Sequence, residues 1–273
     1  MITVAIGQLR PRIAQPEAGL AAVEQAAQTA QAAAADLLVL PEAFLTGYAI
    51  GAAKIRQLAE PADGELGMAV AQIAARNNIA VVYGFAERSA AGEIFNSASF
   101  ISESGHRLAT YRKLHLFQAV DSEQFSPGSQ RPPVVRWHGW GVGLAICYDV
   151  EFPETVRMLA EDGADLVCTP TANMAGIEQV QNFLIPARAY ESQLYIAYAN
   201  YSGADQQFTY GGTSVVAAPD GSSPVFASAS EEEVLVTELS LDTLHRARER
   251  ISYLADRRGD VYTQPPAAPE PER

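Results

Sequence analysis

The chain is poor in cysteine: Cys147 and Cys168 are the only two in 273 residues, too few for a disulfide-stapled fold. It is also short of positive charge, with 19 Lys and Arg against 32 Asp and Glu and a formal net charge of −13. Phosphate backbones and anionic membrane surfaces bind basic faces, so neither nucleic acid nor membrane is expected as a partner. The four histidines, His106, His115, His138 and His245, are scattered and form no pair at ligand spacing; neither a metal nor another cofactor is expected. No apolar window approaches the length of a membrane span. MITVAIGQLR has no basic start ahead of an apolar core, so it does not read as a signal peptide. The expectation is a soluble, cytoplasmic protein.

What is present is apolar and periodic. Hydrophobic residues make up 48% and charged residues 19%, enough for the core of one large α/β domain or two small ones. ITVAIGQL (2–9) alternates as a strand, and the alanine-rich stretch 16–35 sets Leu20, Val23 and Ala27 at helical spacing. DLLVL (36–40) is a continuous apolar run, as a strand buried on both faces requires. Further along, 65–78 reads as a helix, 79–87 as a strand, and 97–117 as two strands joined around Ser104-Gly105. A strand at 139–147 precedes a helix at 153–163, which has Pro at its start and Gly at its end. Strand 164–170, a helical stretch over 177–193 interrupted at Pro186, strands 194–200, 213–221 and 233–239, and helix 241–250 complete the domain, 1–263. The tail QPPAAPEPER (264–273) is proline-rich and acidic, and is expected to be extended or disordered.

An internal echo organises these elements. ADLLVLPEA (35–43) and ADLVCTPTA (164–172) share five of nine positions at the same offsets. The echo predicts two similar halves, each giving a buried strand to one of two facing sheets. It aligns Cys168 with Val39, a strand-interior position, and so makes Cys168 a core residue.

Cys147 has different surroundings. In GLAICYDVEFPE (143–154) an apolar run ends at the cysteine and an acidic segment follows. A free thiol has a pKa of about 8.5, so a nucleophilic cysteine needs a base. Two residues are candidates: His115, and Glu42 at the end of DLLVL, where an ionisable group is costly without a partner or a task. A cation is available in TYRKLHLF (110–117), where strand alternation places Tyr111, Lys113 and His115 on one face and Arg112, Leu114 and Leu116 on the other. Strand ends are where α/β folds gather reactive groups.

Taken in order, LLVLPEAFLTGY, YRKLHLF and GLAICYDVEFPE resemble the nitrilase superfamily of carbon–nitrogen hydrolases, and the resemblance extends to about residue 255. It implies a four-layer αββα sandwich, paired with a second copy through the helices near the cysteine as a homodimer or higher homo-oligomer. It implies a catalytic set of Glu42, Lys113 and Cys147, with the Tyr148 backbone N–H as oxyanion donor and His115 as a structural residue. Many members carry a second carboxylate that holds the lysine, upstream of a Ser/Asn-Pro-Gly turn. Here that turn is Ser126-Pro127-Gly128; Asp121 stands at the expected spacing and Glu123 two residues off, while Phe125 is expected to pack against the site. By position, Tyr48, Glu151 and Asn173 are expected to line the substrate pocket. Members acting on carboxylate-bearing ω-amides often have arginine at the place of Glu151; a carboxylate there favours a cationic or neutral substrate unless it pairs with Arg188.

CYDVEFPE, PTANM and ARAYESQLYIAYANY look most like the bacterial 5-aminopentanamidase and stereoselective amidase branch. The activity implied is hydrolysis of a small primary aliphatic amide, such as the amine-bearing 5-aminopentanamide, to carboxylate and ammonia through a cysteine thioester. A nitrile or an N-carbamoyl amine is the alternative substrate for the same Glu-Lys-Cys site. A non-catalytic binding protein of the same fold is the remaining alternative.

Overall fold

The computed structural model describes residues 1–262; the 264–273 tail and the end of the expected domain at residue 263 lie outside the described residues. In chain order the elements are β1 (Ile2–Gln8), α1 (Pro16–Ala32), β2 (Leu37–Val39), α2 (Ala52–Leu58), α3 (Glu65–Asn77), β3 (Ala80–Arg88), β4 (Ile94–Ile101), β5 (Arg107–Arg112) and α4 (Gln118–Ser122). They continue with β6 (Val134–Trp137), β7 (Trp140–Leu144), α5 (Pro153–Glu161), β8 (Leu166–Pro170), α6 (Ile185–Ser192), β9 (Tyr195–Ala199), β10 (Val215–Ala217), β11 (Val225–Phe226), β12 (Glu233–Leu239), α7 (Leu241–Arg250) and α8 (Gly259–Tyr262).

The strands form two six-stranded sheets, ordered β12-β1-β2-β3-β4-β5 and β11-β10-β9-β8-β7-β6. In the first, β2 lies parallel to both β1 and β3; in the second, β8 lies parallel to both β7 and β9. The two echo segments are therefore equivalent parallel strands, one in each sheet.

Period-two alternation assigns each side of these strands to a layer. Leu37 and Val39 of β2 join Leu166 and Cys168 of β8 in a core between the sheets, with Val4, Val142 and Ala197. Leu38 and Leu40 face the other way, against Val23, Ala26 and Ala27 of α1 and Val70 and Ile73 of α3. On the far side, Val167 and Ile196 pack under Val156 and Leu159 of α5 and Ile185 and Ala189 of α6. The result is a helix–sheet–sheet–helix sandwich, with Cys168 fully buried at its centre. Among the described residues, no helix is long and apolar enough to cross a membrane.

Local departures from periodicity lie near strand ends. The strand expected over 139–147 stops at Leu144, and Cys147 opens a tight 3-10 turn, Cys147–Glu151. β5 stops at Arg112, so the expected shared face of Tyr111, Lys113 and His115 does not form. Tyr111 and His115 bond to Asp149, while Lys113 turns to Glu42 and Asp121, because a buried ammonium follows its counter-charges rather than the pleat. Pro186 does not interrupt its helix: it sits in the first turn of α6, where no N–H is needed. A widened π turn, Val180–Leu184, leads into it.

One glycine is forced by proximity. A Cβ on Gly84 of β3 would lie 2.8 Å from the Glu42 Cα and closer still to the Ala43 N; both are backbone atoms, so neither yields cheaply. Gly84→Ala should lower the free energy of unfolding by about 1–3 kcal/mol, read from denaturant melts; an unchanged midpoint would refute the close approach.

Candidate active site

Three chain segments converge at one end of the sandwich. Pro41 carries the chain out of β2 into Glu42, whose backbone N–H donates to the Thr171 carbonyl at 3.2 Å. The Glu42 carbonyl accepts from the Tyr201 hydroxyl at 2.8 Å. Glu42 and Thr171 hold the same offset in the two echo segments, so the halves meet at equivalent residues. Lys113 follows β5 directly; its N–H donates to the Asn96 carbonyl at 2.9 Å and its carbonyl accepts from Gly128 of the Ser-Pro-Gly turn at 2.7 Å.

The Lys113 ammonium is closed off between two carboxylates. Its Nζ lies 2.6 Å from Glu42 Oε1 and 2.6 Å from Asp121 Oδ2, and all three side chains are 0% exposed. Asp121, on α4, is thus the carboxylate that meets the lysine; Glu123 sits at the exposed end of that helix. Asn96 Nδ2 donates to Glu42 Oε1 at 2.7 Å, and the Phe117 N–H donates to Asp121 Oδ2 at 2.8 Å. Glu42 Oε2 and Asp121 Oδ1 have no hydrogen-bond partner. Burial raises the pKa of Glu42, with Lys113 opposing and Asp121 adding to the rise. Burial on its own would lower the pKa of Lys113, but Glu42 and Asp121 outweigh it and hold the ammonium charged. An ammonium has three donors, and the two carboxylates take two of them, leaving one.

Cys147 sits at a left-handed φ of 43°, a conformation that costs a non-glycine residue of order 1–3 kcal/mol. The turn behind it is clasped to hold this geometry. Asp149 accepts from the Tyr111 hydroxyl at 2.8 Å and from the His115 backbone N–H at 2.9 Å. Its Oδ1 also lies 2.8 Å from His115 Nδ1, and the His115 ring stacks on Phe152 with centroids 3.9 Å apart. Tyr111 and His115 flank Lys113 in sequence, so one carboxylate ties the lysine segment to the cysteine turn. The Asp149 N–H already donates to the Ile146 carbonyl at 3.0 Å; Tyr148, earlier in the same turn, has an N–H without an intrahelical acceptor by position. Burial and the Glu42 charge raise the Cys147 pKa, while Lys113, the Thr171 hydroxyl and the Ala172 N–H pull the other way. The thiol therefore keeps its proton until a base removes it.

The expected pocket residues divide. The Tyr48 ring is buried beside the site, 5.9 Å from Lys113 Nζ. Asn173 follows the Thr171–Ala172 segment, but its side-chain amide donates to Gln181 Oε1 at 2.8 Å and the Ile177 carbonyl at 3.3 Å, which holds its own loop. Arg188 does not close on the Glu151 carboxylate: Nη2 donates to the Glu151 backbone carbonyl and Nη1 to Glu191, each at 2.9 Å. Phe125 packs with Ile55, Ala59, Ala86 and Ile94, and its N–H donates to the Asp121 carbonyl at 2.8 Å. Sequence reasoning missed Asn96 and Asp149. Asn96 had a signal, being a buried amide inside an otherwise apolar strand end; Asp149 gave none beyond its place next to the cysteine motif.

Residues 3–249 match the model of the Carbon-nitrogen hydrolase family. The chain is 43% identical over 259 residues to a Pseudomonas protegens protein named hydrolase in pqqF 5′ region, covering 95% of this chain and 90% of that one. It is 41% identical over 224 residues to an (R)-stereoselective amidase from a Pseudomonas species, covering 82% and 80%. Among solved structures, an amidase from Nesterenkonia sp. AN1 superimposes with a TM-score of 0.83 at 31% identity, covering 96% of this chain and 98% of that one. A mutant of that amidase carries acrylamide added to its active site cysteine, and another was solved in complex with butyramide.

The two thiols of this chain should differ in reactivity. Iodoacetamide on the folded protein should alkylate Cys147 and spare Cys168, which lies in the sheet–sheet core away from any base; peptide mass spectrometry reads the difference. Equal labelling would contradict the assignment.

Proposed function

The chain belongs to the carbon–nitrogen hydrolase family and is a nitrilase-superfamily amidase with an active-site cysteine; we propose that it cleaves small primary aliphatic amides to carboxylate and ammonia. The observation that supports this best is the fully buried Lys113 ammonium between Glu42 and Asp121, beside a cysteine on a strained turn. In this reading Glu42 takes the thiol proton through Oε2, and Cys147 Sγ attacks the amide carbon. The carbonyl electrons move to oxygen, where the remaining Lys113 N–H and the Tyr148 backbone N–H hold the charge. Collapse expels ammonia with the proton carried by Glu42 and leaves a thioester. Glu42 then deprotonates a water, which attacks the thioester; the carboxylic acid leaves and the thiol regains its proton.

Ammonia release from a panel of amides tests the reaction. Cys147→Ala should abolish turnover, and Lys113→Met should lower kcat by on the order of 10²–10³. Because Glu42 must be ionised and burial raises its pKa, kcat/KM should fall with decreasing pH along a limb lying above the ordinary carboxylate value of 4.5. Turnover that survives Cys147→Ala, or a limb at or below that value, would overturn the assignment.

We also propose that the substrate end carries a positive or neutral group, such as the ammonium of 5-aminopentanamide. Glu151 supports this: its half-buried carboxylate accepts no hydrogen bond from the described residues, since Arg188 is engaged elsewhere. Hexanamide is a near-isosteric neutral control for 5-aminopentanamide. Glu151→Gln should lower the 5-aminopentanamide to hexanamide ratio of kcat/KM by roughly tenfold, the worth of about 1.4 kcal/mol. An unchanged ratio removes Glu151 from substrate recognition.

A further inference from the structure

A cavity of about 540 Å³ borders the site, and the chemistry above does not use it. Phe117 and Val120 form one wall, Met174 and Ile177 another, and Phe208 a third. Glu123 is the one charged side chain in the lining, and it stands exposed at the mouth.

Two of the walls are anchored to the site within a residue or two. The Phe117 N–H donates to the Asp121 oxygen that holds Lys113, and the Phe117 ring meets Tyr148 edge-on with centroids 5.2 Å apart. Val120 precedes Asp121, and Met174 follows Asn173; both pack, with Phe208, against the cluster that contains Tyr48. The inner surface of α4 thus serves the lysine while its other residues line an apolar space next to the Cys147 turn.

We propose that this cavity is the acyl pocket and takes an apolar chain of several carbons, with the reacting amide at Cys147 and the chain along Phe117, Val120, Met174 and Phe208. The inference rests on the amidase reading above and narrows it to primary amides of medium-length chains.

A homologous series tests this on the wild-type enzyme. Each methylene buried is worth about 0.8 kcal/mol, or roughly fourfold in kcat/KM, so the four methylenes separating hexanamide from acetamide should raise kcat/KM on the order of 10²-fold. Ala119→Phe, which fills the pocket from an exposed position of α4, should cut the hexanamide to acetamide ratio by about tenfold or more. The ratio is internal to each variant, so partial loss of folded protein cancels. Met174→Ala, which enlarges the pocket, should move the optimum toward octanamide. A flat chain-length profile in the wild type, or the same ratio in both variants, overturns the acyl pocket while leaving the amidase reading standing. No ammonia from any amide in the series overturns the amidase reading itself.

Discussion

One buried ammonium between two buried carboxylates governs this structure. Lys113, Glu42 and Asp121 are all 0% exposed, and taking such charges out of water costs several kcal/mol each unless they are paired and hydrogen-bonded. The surrounding segments are arranged to meet that demand. Asn96 donates from β4, the Phe117 N–H donates ahead of α4, and Gly128 fixes the Lys113 backbone. The pairing is deliberately incomplete in charge, since two carboxylates face one cation. Burial, with the excess negative charge, is what keeps the Glu42 pKa up, and each carboxylate has one oxygen without a hydrogen-bond partner. Under the proposed mechanism that raised pKa suits Glu42 to take the proton of the nearby thiol, whose own ionisation burial opposes.

The second constraint is mechanical. A residue at φ 43° needs surroundings that hold it there, and Asp149 provides them. It takes donors from Tyr111 and His115, which stand on either side of Lys113. The nucleophile and the ammonium are thereby held to a common acceptor on the second sheet's turn, although they come from different sheets. His115 is committed to Asp149 and to stacking on Phe152, whereas Glu42 is one of the two carboxylates on the Lys113 ammonium.

Most of the layer order was legible in the sequence, because it depends on burial alone. DLLVL reads as a strand buried on both faces, and its alternate residues do enter two different cores. The echo with ADLVCTP foretold one equivalent buried strand in each of two sheets and the interior place of Cys168. What could not be read were short elements with little apolar surface: α2, α4, β6, β11 and α8, none longer than seven residues. They take their shape from the larger elements they touch. The side-chain directions after β5 were misread for the same reason, since alternation holds only while the ladder continues. Arg188 bonds the Glu151 backbone carbonyl and not its carboxylate, a contact that has no signature in sequence.

The two halves explain why the site needs the whole chain. β1 to β5 and β7 to β11 run in the same order through their sheets, with β12 and β6 as the added outer strands. Glu42 leaves β2 and Lys113 leaves β5, whereas Cys147 follows β7. Thr171, the counterpart of Glu42, carries a hydroxyl beside the thiol in place of a carboxylate. A carboxylate at both positions would set a second negative charge beside Cys147, opposing the thiolate that the proposed mechanism requires. The halves are therefore alike in backbone and unlike in charge at their ends: one supplies a carboxylate and the cation, the other the sulfur and a neutral hydroxyl. The duplication builds the sandwich, and under the proposed mechanism its asymmetry is what lets a proton move from sulfur to oxygen.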